Sequence, residues 1–451
     1  MRTLLTIPFI LFIYFGLSAQ VLSKKQVDED LHFLKAQIEK YNPALAIYNP
    51  DFQSNAEHVI HKIQDDEITL LSHFAYISQI CAMSNEGHFH MGNWSDDVHK
   101  GFGQNQYKYL PISVRALNGK LYVWEDYSEE NQLEKGDELV SINGTSAGDI
   151  LEQLYAKTPS DGEITTYVDQ TLNFGFAWMY YLLIDQPDVF EIACRRGDQQ
   201  QKTIRIQALP RQQQVTLFAQ KYPSTKQQEG IQDVYTLDLA ADHARLTLRT
   251  FDRQMLEKHK IKSKQFYKQI FTSLKEQQVQ NLIIDLRDNT GGLNEMADDM
   301  LPYILQENPE TSTLKTTISW EGKIRTYKMP KQSKLRFSGK LYVLVNGRTY
   351  SAGASLARFL KEYGNAIVIG EETGTRYEGF AAGSTQFVLL PHSKLNIGIP
   401  RYHIAYPKSI KQMTQNRGLL PDFPIEYTIQ DLIENQDRAY QFALKQISQS
   451  K

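Results

Sequence analysis

The chain has 451 residues, 41% hydrophobic and 22% charged, with a formal net charge of -3. That length exceeds one ordinary core and predicts two or three domains. The near-neutral balance excludes an electrostatic case for nucleic acid or an anionic membrane as partner, and two cysteines exclude a disulfide scaffold or a cysteine-based metal site.

Arg2, an apolar run from Leu4 to Leu17 and small residues at Ser18-Ala19 make residues 1–19 a secretory signal peptide, with the cut expected after Ala19. The run is short for a membrane span, as is the later apolar stretch from Phe174 to Ile184. An exported, periplasmic or secreted chain that does not span the membrane is expected. Residues 20–104 read as a helical N-terminal domain. Val27, Leu31, Leu34 and Ile38 share one face until Asn42-Pro43, and Phe52, Ala56, Val59 and Ile60 share another. A third helix, from about Thr69 to Met83, leads to Asn85-Glu86-Gly87-His88-Phe89-His90.

Residues 105–208 change to strand character at Leu110 to Val114 and Lys120 to Trp124. The string Gly136-Asp137-Glu138-Leu139-Val140-Ser141-Ile142-Asn143-Gly144 follows. Asn-Gly alone is a hairpin turn, but the longer string resembles the core of a PDZ domain. The resemblance departs in two ways: there is no carboxylate-binding loop near Leu110, and a helical segment at about 165–184 interrupts the domain. Residues 209–240, rich in Gln, Lys and Ser, read as a linker. From Ala244 onward strands and helices alternate, which predicts an α/β layered domain over 241–430. Residues 431–451 are expected to form a C-terminal helix.

Within that domain, the apolar run Lys340 to Val345 predicts a buried strand, and Leu356, Phe359 and Leu360 predict the helix after it. Ser351 falls at the strand-to-helix turn. A serine there is most often an N-cap; beside free N–H groups and the positive end of a helix it is also a candidate nucleophile. On this segment alone the cap is favoured. Two further strings change the balance. Asp285-Leu286-Arg287-Asp288-Asn289-Thr290-Gly291-Gly292 closes one strand, without the endings of a phosphate loop. Glu371-Glu372-Thr373-Gly374-Thr375-Arg376 follows the strand at Ile367.

With Gly418-Leu419-Leu420-Pro421-Asp422 behind them, these strings in this order resemble the C-terminal-processing (tail-specific) serine peptidases and their tricorn-like relatives, over roughly residues 28 to 430. The resemblance implies a multidomain α+β protein: a helical N-terminal domain, a PDZ-like β-rich domain and an α/β catalytic domain of the crotonase-like type. It implies Ser351 as nucleophile, and Gly291 or Gly292 with the Ala352 N–H as oxyanion hole. It implies peptides or proteins as substrates, with no metal and no organic cofactor. Where many members carry a catalytic lysine this chain has Arg376, which does not give up its proton near neutral pH. Glu86-Gly87-His88-Phe89 matches the string holding the base of the histidine-using branch, so His88 becomes the expected base. An ordinary imidazole would place the acidic limb of activity near pH ~6.5. Glu372 and Asp422 are candidates to orient His88, because Gln415 stands where that branch has a glutamate. With Ala354, also a departure, these changes keep a rival reading in view: a catalytically idle protein that binds peptides or small ligands on the same fold.

Overall fold

The computed structural model describes residues 21–93, 107–197, 199–223, 231–306, 312–409 and 411–449. Residues 1–19, expected to be a signal peptide, lie outside them. The first helix, Lys24–Tyr41, opens with a capping box in which Ser23 and Gln26 satisfy each other's backbone N–H groups. Its buried face is Val27, Leu31, Leu34 and Ile38, the stripe expected from the sequence. Helices Phe52–His61 and Leu70–Ala82 pack in the same core, and the unpaired Cys81 is buried within it. The third helix stops at Met83, and Asn85 then takes a positive φ of 56° that turns the chain away.

Strands within residues 112–207 build an antiparallel sheet. Strand Ile112–Leu117 forms one edge, followed by Lys120–Asp126, Glu138–Ile142, Val189–Arg195 and Lys202–Gln207. Asn143 and Gly144, with φ of 50° and 81°, make the two-residue turn that pairs Ile142 with Thr145. Only residues that tolerate the left-handed region fit such a turn. Helix Ala147–Lys157 follows, and the helix expected at 165–184 is present as Thr166–Leu183, kinked at Gly175.

The stretch 209–240, expected as a linker, carries regular elements among its described residues. Arg211–Lys221 is a helix, and Tyr235–Leu239 is the outer strand of the next sheet. Gln and Lys are good helix formers, and polar anchors substitute for an apolar face. Gln214 Nε2 donates to the carbonyls of Tyr109 and Leu209, and Lys221 Nζ to those of Asp126 and Ser128.

The central sheet runs Tyr235–Leu239, Ala244–Leu248, Asn281–Asp285, Lys340–Val345, Ile367–Gly370, Phe423–Pro424, and every pair but the first is parallel. Alternation divides it into two buried faces. Leu341, Val343 and Val345 meet helices Ser263–Glu276 and Ala352–Gly364, while Tyr342 and Leu344 meet Ala439, Ala443 and Ile447 of helix Arg438–Gln449. Burial on both faces is why these strands read as unbroken apolar runs. The expected C-terminal helix comes in two pieces, Ile429–Ile433 and Arg438–Gln449, separated where Asn435 adopts φ 54°.

A further sheet, Ile324–Lys328, Thr313–Ser319, Asn396–Ala405 and Gly379–Leu389, was not foreseen. Strand His90–Asn93 pairs with Asn396–Ala405, with Gly398 opposite His90. This pairing fixes the end of the N-terminal region, and with it His88, against the later part of the chain. The result is a mixed α/β multidomain fold. Among the described residues no helix is long and apolar enough to cross a membrane.

Candidate functional site

The turn between strand Lys340–Val345 and helix Ala352–Gly364 is sharp. Ser351 sits in it at φ 53°, ψ −124°, and its side chain makes no capping bond. A non-glycine residue held at such angles costs about 1–3 kcal/mol, a strain concentrated at functional sites. The surroundings impose it. The Ser351 N–H donates to Thr375 Oγ1 at 2.7 Å, the Tyr350 N–H to the Asn289 carbonyl at 2.9 Å, and Thr349 Oγ1 to the Leu286 carbonyl at 2.9 Å. The N-cap explanation for Ser351 therefore fails on geometry, and its hydroxyl has no hydrogen-bond partner among the described residues.

The glycine loop packs directly on this turn. Gly291 has φ 85°, and a Cβ there would come within 2.7 Å of Ser351 Cβ and 2.8 Å of the Ala352 nitrogen. The two glycines differ in what they offer. The Gly291 N–H is already taken by Asn289 Oδ1 at 2.9 Å. The N–H groups of Gly292 and Ala352 have no partner among the described residues. Of the expected oxyanion donors, Gly292 and Ala352 are free to serve and Gly291 is not.

His88 lies in the loop between helix Leu70–Ala82 and strand His90–Asn93. Its ring is stacked between Tyr350, at 4.6 Å between centroids, and Phe380, at 5.2 Å. Nδ1 is 3.0 Å from the Tyr350 hydroxyl, and Nε2 is buried without a partner among the described residues. Burial pushes the imidazole down to about 4, Asp161 pulling it up and His90 down. His88 is thus neutral over the ordinary pH range, well below the value that a free imidazole suggests.

The acids distribute differently from expectation. Glu372 accepts from Arg417 Nε at 2.8 Å and from the Gly418 N–H at 2.7 Å, and its second oxygen is also held by Arg417. Asp422 accepts from Lys361 Nζ and the Val368 N–H, both at 2.9 Å. With their oxygens so committed, neither touches His88, and the orienting role expected of them is withdrawn. Among the described residues, one carboxylate that does reach this region is Asp161. Fully buried, it accepts from the Gly87 N–H at 2.6 Å and the Arg376 N–H at 3.1 Å, tying the histidine loop to the Arg376 loop. Asp161 belongs to none of the strings singled out in the sequence.

Arg376 is buried with its Nη1 3.1 Å from Glu86 Oε1 and its guanidinium 3.6 Å from the centre of the Tyr48 ring. Burial alone would lower its pKa, but Glu86 and Asp161 raise it, so it stays charged. Its part is structural. Removing one member of a buried ion pair strands the other, so Arg376→Ala should cost about 3–5 kcal/mol of stability. Equilibrium denaturation in urea checks this; a loss below about 1 kcal/mol, the range of exposed pairs, would contradict it.

The sequence model of peptidase family S41 matches residues 242–425. The carboxyl-terminal-processing protease of Picosynechococcus sp. is 27% identical over 185 residues, and the match spans 40% of each chain. A crystal structure of mature CPAF superposes with a TM-score of 0.62 at 13% identity, covering 94% of this chain and 98% of that one. A CPAF point mutant gives 0.64 at 12%, covering 94% and 96%. At those identities the likeness is one of fold.

Proposed function

We propose that this chain, whose residues 242–425 match the family model of peptidase family S41, is an exported serine peptidase in which Ser351 is the nucleophile and His88 the general base. The observation that carries this reading is the strained Ser351, its hydroxyl uncapped, beside the unpartnered N–H groups of Ala352 and Gly292. Ser351 Oγ attacks the peptide carbonyl as His88 Nε2 takes its proton. The carbonyl oxygen becomes an alkoxide, and the Ala352 and Gly292 N–H groups stabilise it. Such donors, fixed before the reaction, need no reorganisation when charge develops. His88 then returns the proton to the leaving amine. Ser351 Oγ and His88 Nε2 do not touch in this structure; catalytic hydrogen bonds commonly tighten only in the substrate complex.

The helical region 20–104 supplies the base in this reading, and 105–208 acts as a PDZ-like module. The antiparallel sheet, the turn at Asn143-Gly144 and the helix after it support that assignment. The leader at 1–19 supports export to the periplasm or medium, where polypeptides would be the substrates.

A fluorophosphonate probe tests the reading, because it reacts only with an activated serine. Peptide mapping of the labelled full chain should place the adduct on Ser351. Absence of an adduct would favour the idle binding protein, and an adduct on Ser355 would shift the motif's register.

A further inference from the structure

We propose that Tyr350 is the positioning residue of this site: its phenol takes the place of an orienting carboxylate and fixes His88 through Nδ1, leaving Nε2 as the basic nitrogen. The proposal rests on His88 being the base, as argued above.

The nearby carboxylates are occupied. Glu86 is held by Arg376 and the Ala381 N–H, Asp161 by the Gly87 and Arg376 N–H groups, and Glu372 by Arg417 and the Gly418 N–H. Among the described residues His88 Nδ1 has one partner, the Tyr350 hydroxyl at 3.0 Å. Tyr350 is built to hold that position. It is 7% exposed and stacked on both faces, by His88 at 4.6 Å and by Tyr167 at 4.5 Å. Its N–H donates to the Asn289 carbonyl, and its own carbonyl accepts from the Gly353 N–H, each at 2.9 Å. One residue thereby joins the glycine loop, the nucleophile that follows it in sequence, and the base.

For Nε2 to accept the Ser351 proton, Nδ1 must carry the imidazole hydrogen, and the phenol oxygen accepts that hydrogen bond. Transfer from Ser351 Oγ makes His88 an imidazolium, matched by the new alkoxide. Burial raises the Tyr350 phenol well above its ordinary value. Tyr350 therefore remains a neutral phenol throughout and takes no proton from the reaction. A neutral partner fixes the ring but gives the imidazolium less support than a carboxylate. Asp161, close enough to pull the His88 pKa upward, supplies part of that support.

The test combines turnover with nitrogen NMR of the histidine-labelled full chain, His88 being assigned by its absence from His88→Gln. At neutral pH the wild type should show His88 with hydrogen on Nδ1 and a bare Nε2. Tyr350→Phe keeps the stacked ring and removes the hydroxyl. It should mix the tautomers and lower kcat by about 10-fold or more, with KM changed by less than about twofold. A wild-type His88 with hydrogen on Nε2 would overturn the proposal, whether or not the variant folds. So would a Tyr350→Phe enzyme with wild-type kcat and an unchanged His88 spectrum. If the wild type shows the Nδ1–H tautomer but hydrolyses no peptide, the positioning contact stands and the peptidase reading is what fails.

Discussion

Ser351→Ala is expected to lower peptide hydrolysis by at least ~10⁴-fold, as loss of a nucleophile does where an oxyanion site and substrate binding remain. The fold should survive, because the lost hydroxyl has no hydrogen-bond partner among the described residues. The strained backbone is held by Thr375 Oγ1 and by the neighbouring Tyr350 and Thr349 contacts, none of which uses that hydroxyl. Ser355→Ala is the matched control. Ser355 Oγ bonds the Ser351 carbonyl at 3.1 Å and the Tyr406 hydroxyl at 2.6 Å, a packing role inside helix Ala352–Gly364. Its loss should change turnover by less than about tenfold, because neither of its two hydrogen bonds involves the Ser351 hydroxyl and each is worth only about 1 kcal/mol of folding stability. Comparable losses in the two variants would place the nucleophile elsewhere.

His88→Ala should also remove most turnover, because serine is a poor nucleophile without a base to accept its proton. The wild-type pH dependence carries a sharper signature. Neutral imidazole is the active form, and burial among Tyr350, Phe380 and the Gly87 loop lowers its pKa from 6.5 to about 4. Activity rises as pH increases through about 4 and is fully present by neutral pH, instead of rising near 6.5. Asp161 and His90 act on His88 electrostatically and Tyr350 contacts it, while Glu86, two residues before it, is paired with Arg376. Folding stability is linked to the same group. Between pH 6.5 and about 4 the unfolded histidine binds a proton that the folded one refuses, so this residue lowers stability as pH falls through that window. The kcat/KM profile reads the catalytic effect. An acidic limb near 6.5 would mean that His88 is more open to water than its stacked position implies, and an unchanged profile in active His88→Ala would remove it as base.

The central sheet was readable from sequence because its strands are buried on both faces and carry unbroken apolar runs such as Leu341 to Val345. The helices around it declared themselves by spacing. Strands Thr313–Ser319, Gly379–Leu389 and Asn396–Ala405 did not. Their burial is irregular, with register shifts at Thr313/Lys315 and Ala382/Thr385 that break a two-residue period. The helix Arg211–Lys221 was missed because polar anchors, not an apolar stripe, hold it. At the site, Ser351, His88 and the glycine loop were visible as local strings. What the glycines do was not, since only the fold shows that Asn289 occupies the Gly291 N–H and leaves Gly292 free. Asp161 and Tyr350 escaped for the same reason. Asp161 lies 74 positions from Gly87, and Tyr350 lies 262 from His88, so no sequence window contains either pair.

The rate at which Ser351 is phosphonylated, measured from about pH 3 to 8 in the wild type and in His88→Ala, tests the pairing of nucleophile and base without needing the natural substrate. The account predicts a single rise with its midpoint at about 4 in the wild type and a slow, nearly flat rate in His88→Ala. Labelling of Ser351 at the wild-type rate in His88→Ala, with the same pH dependence, would contradict it.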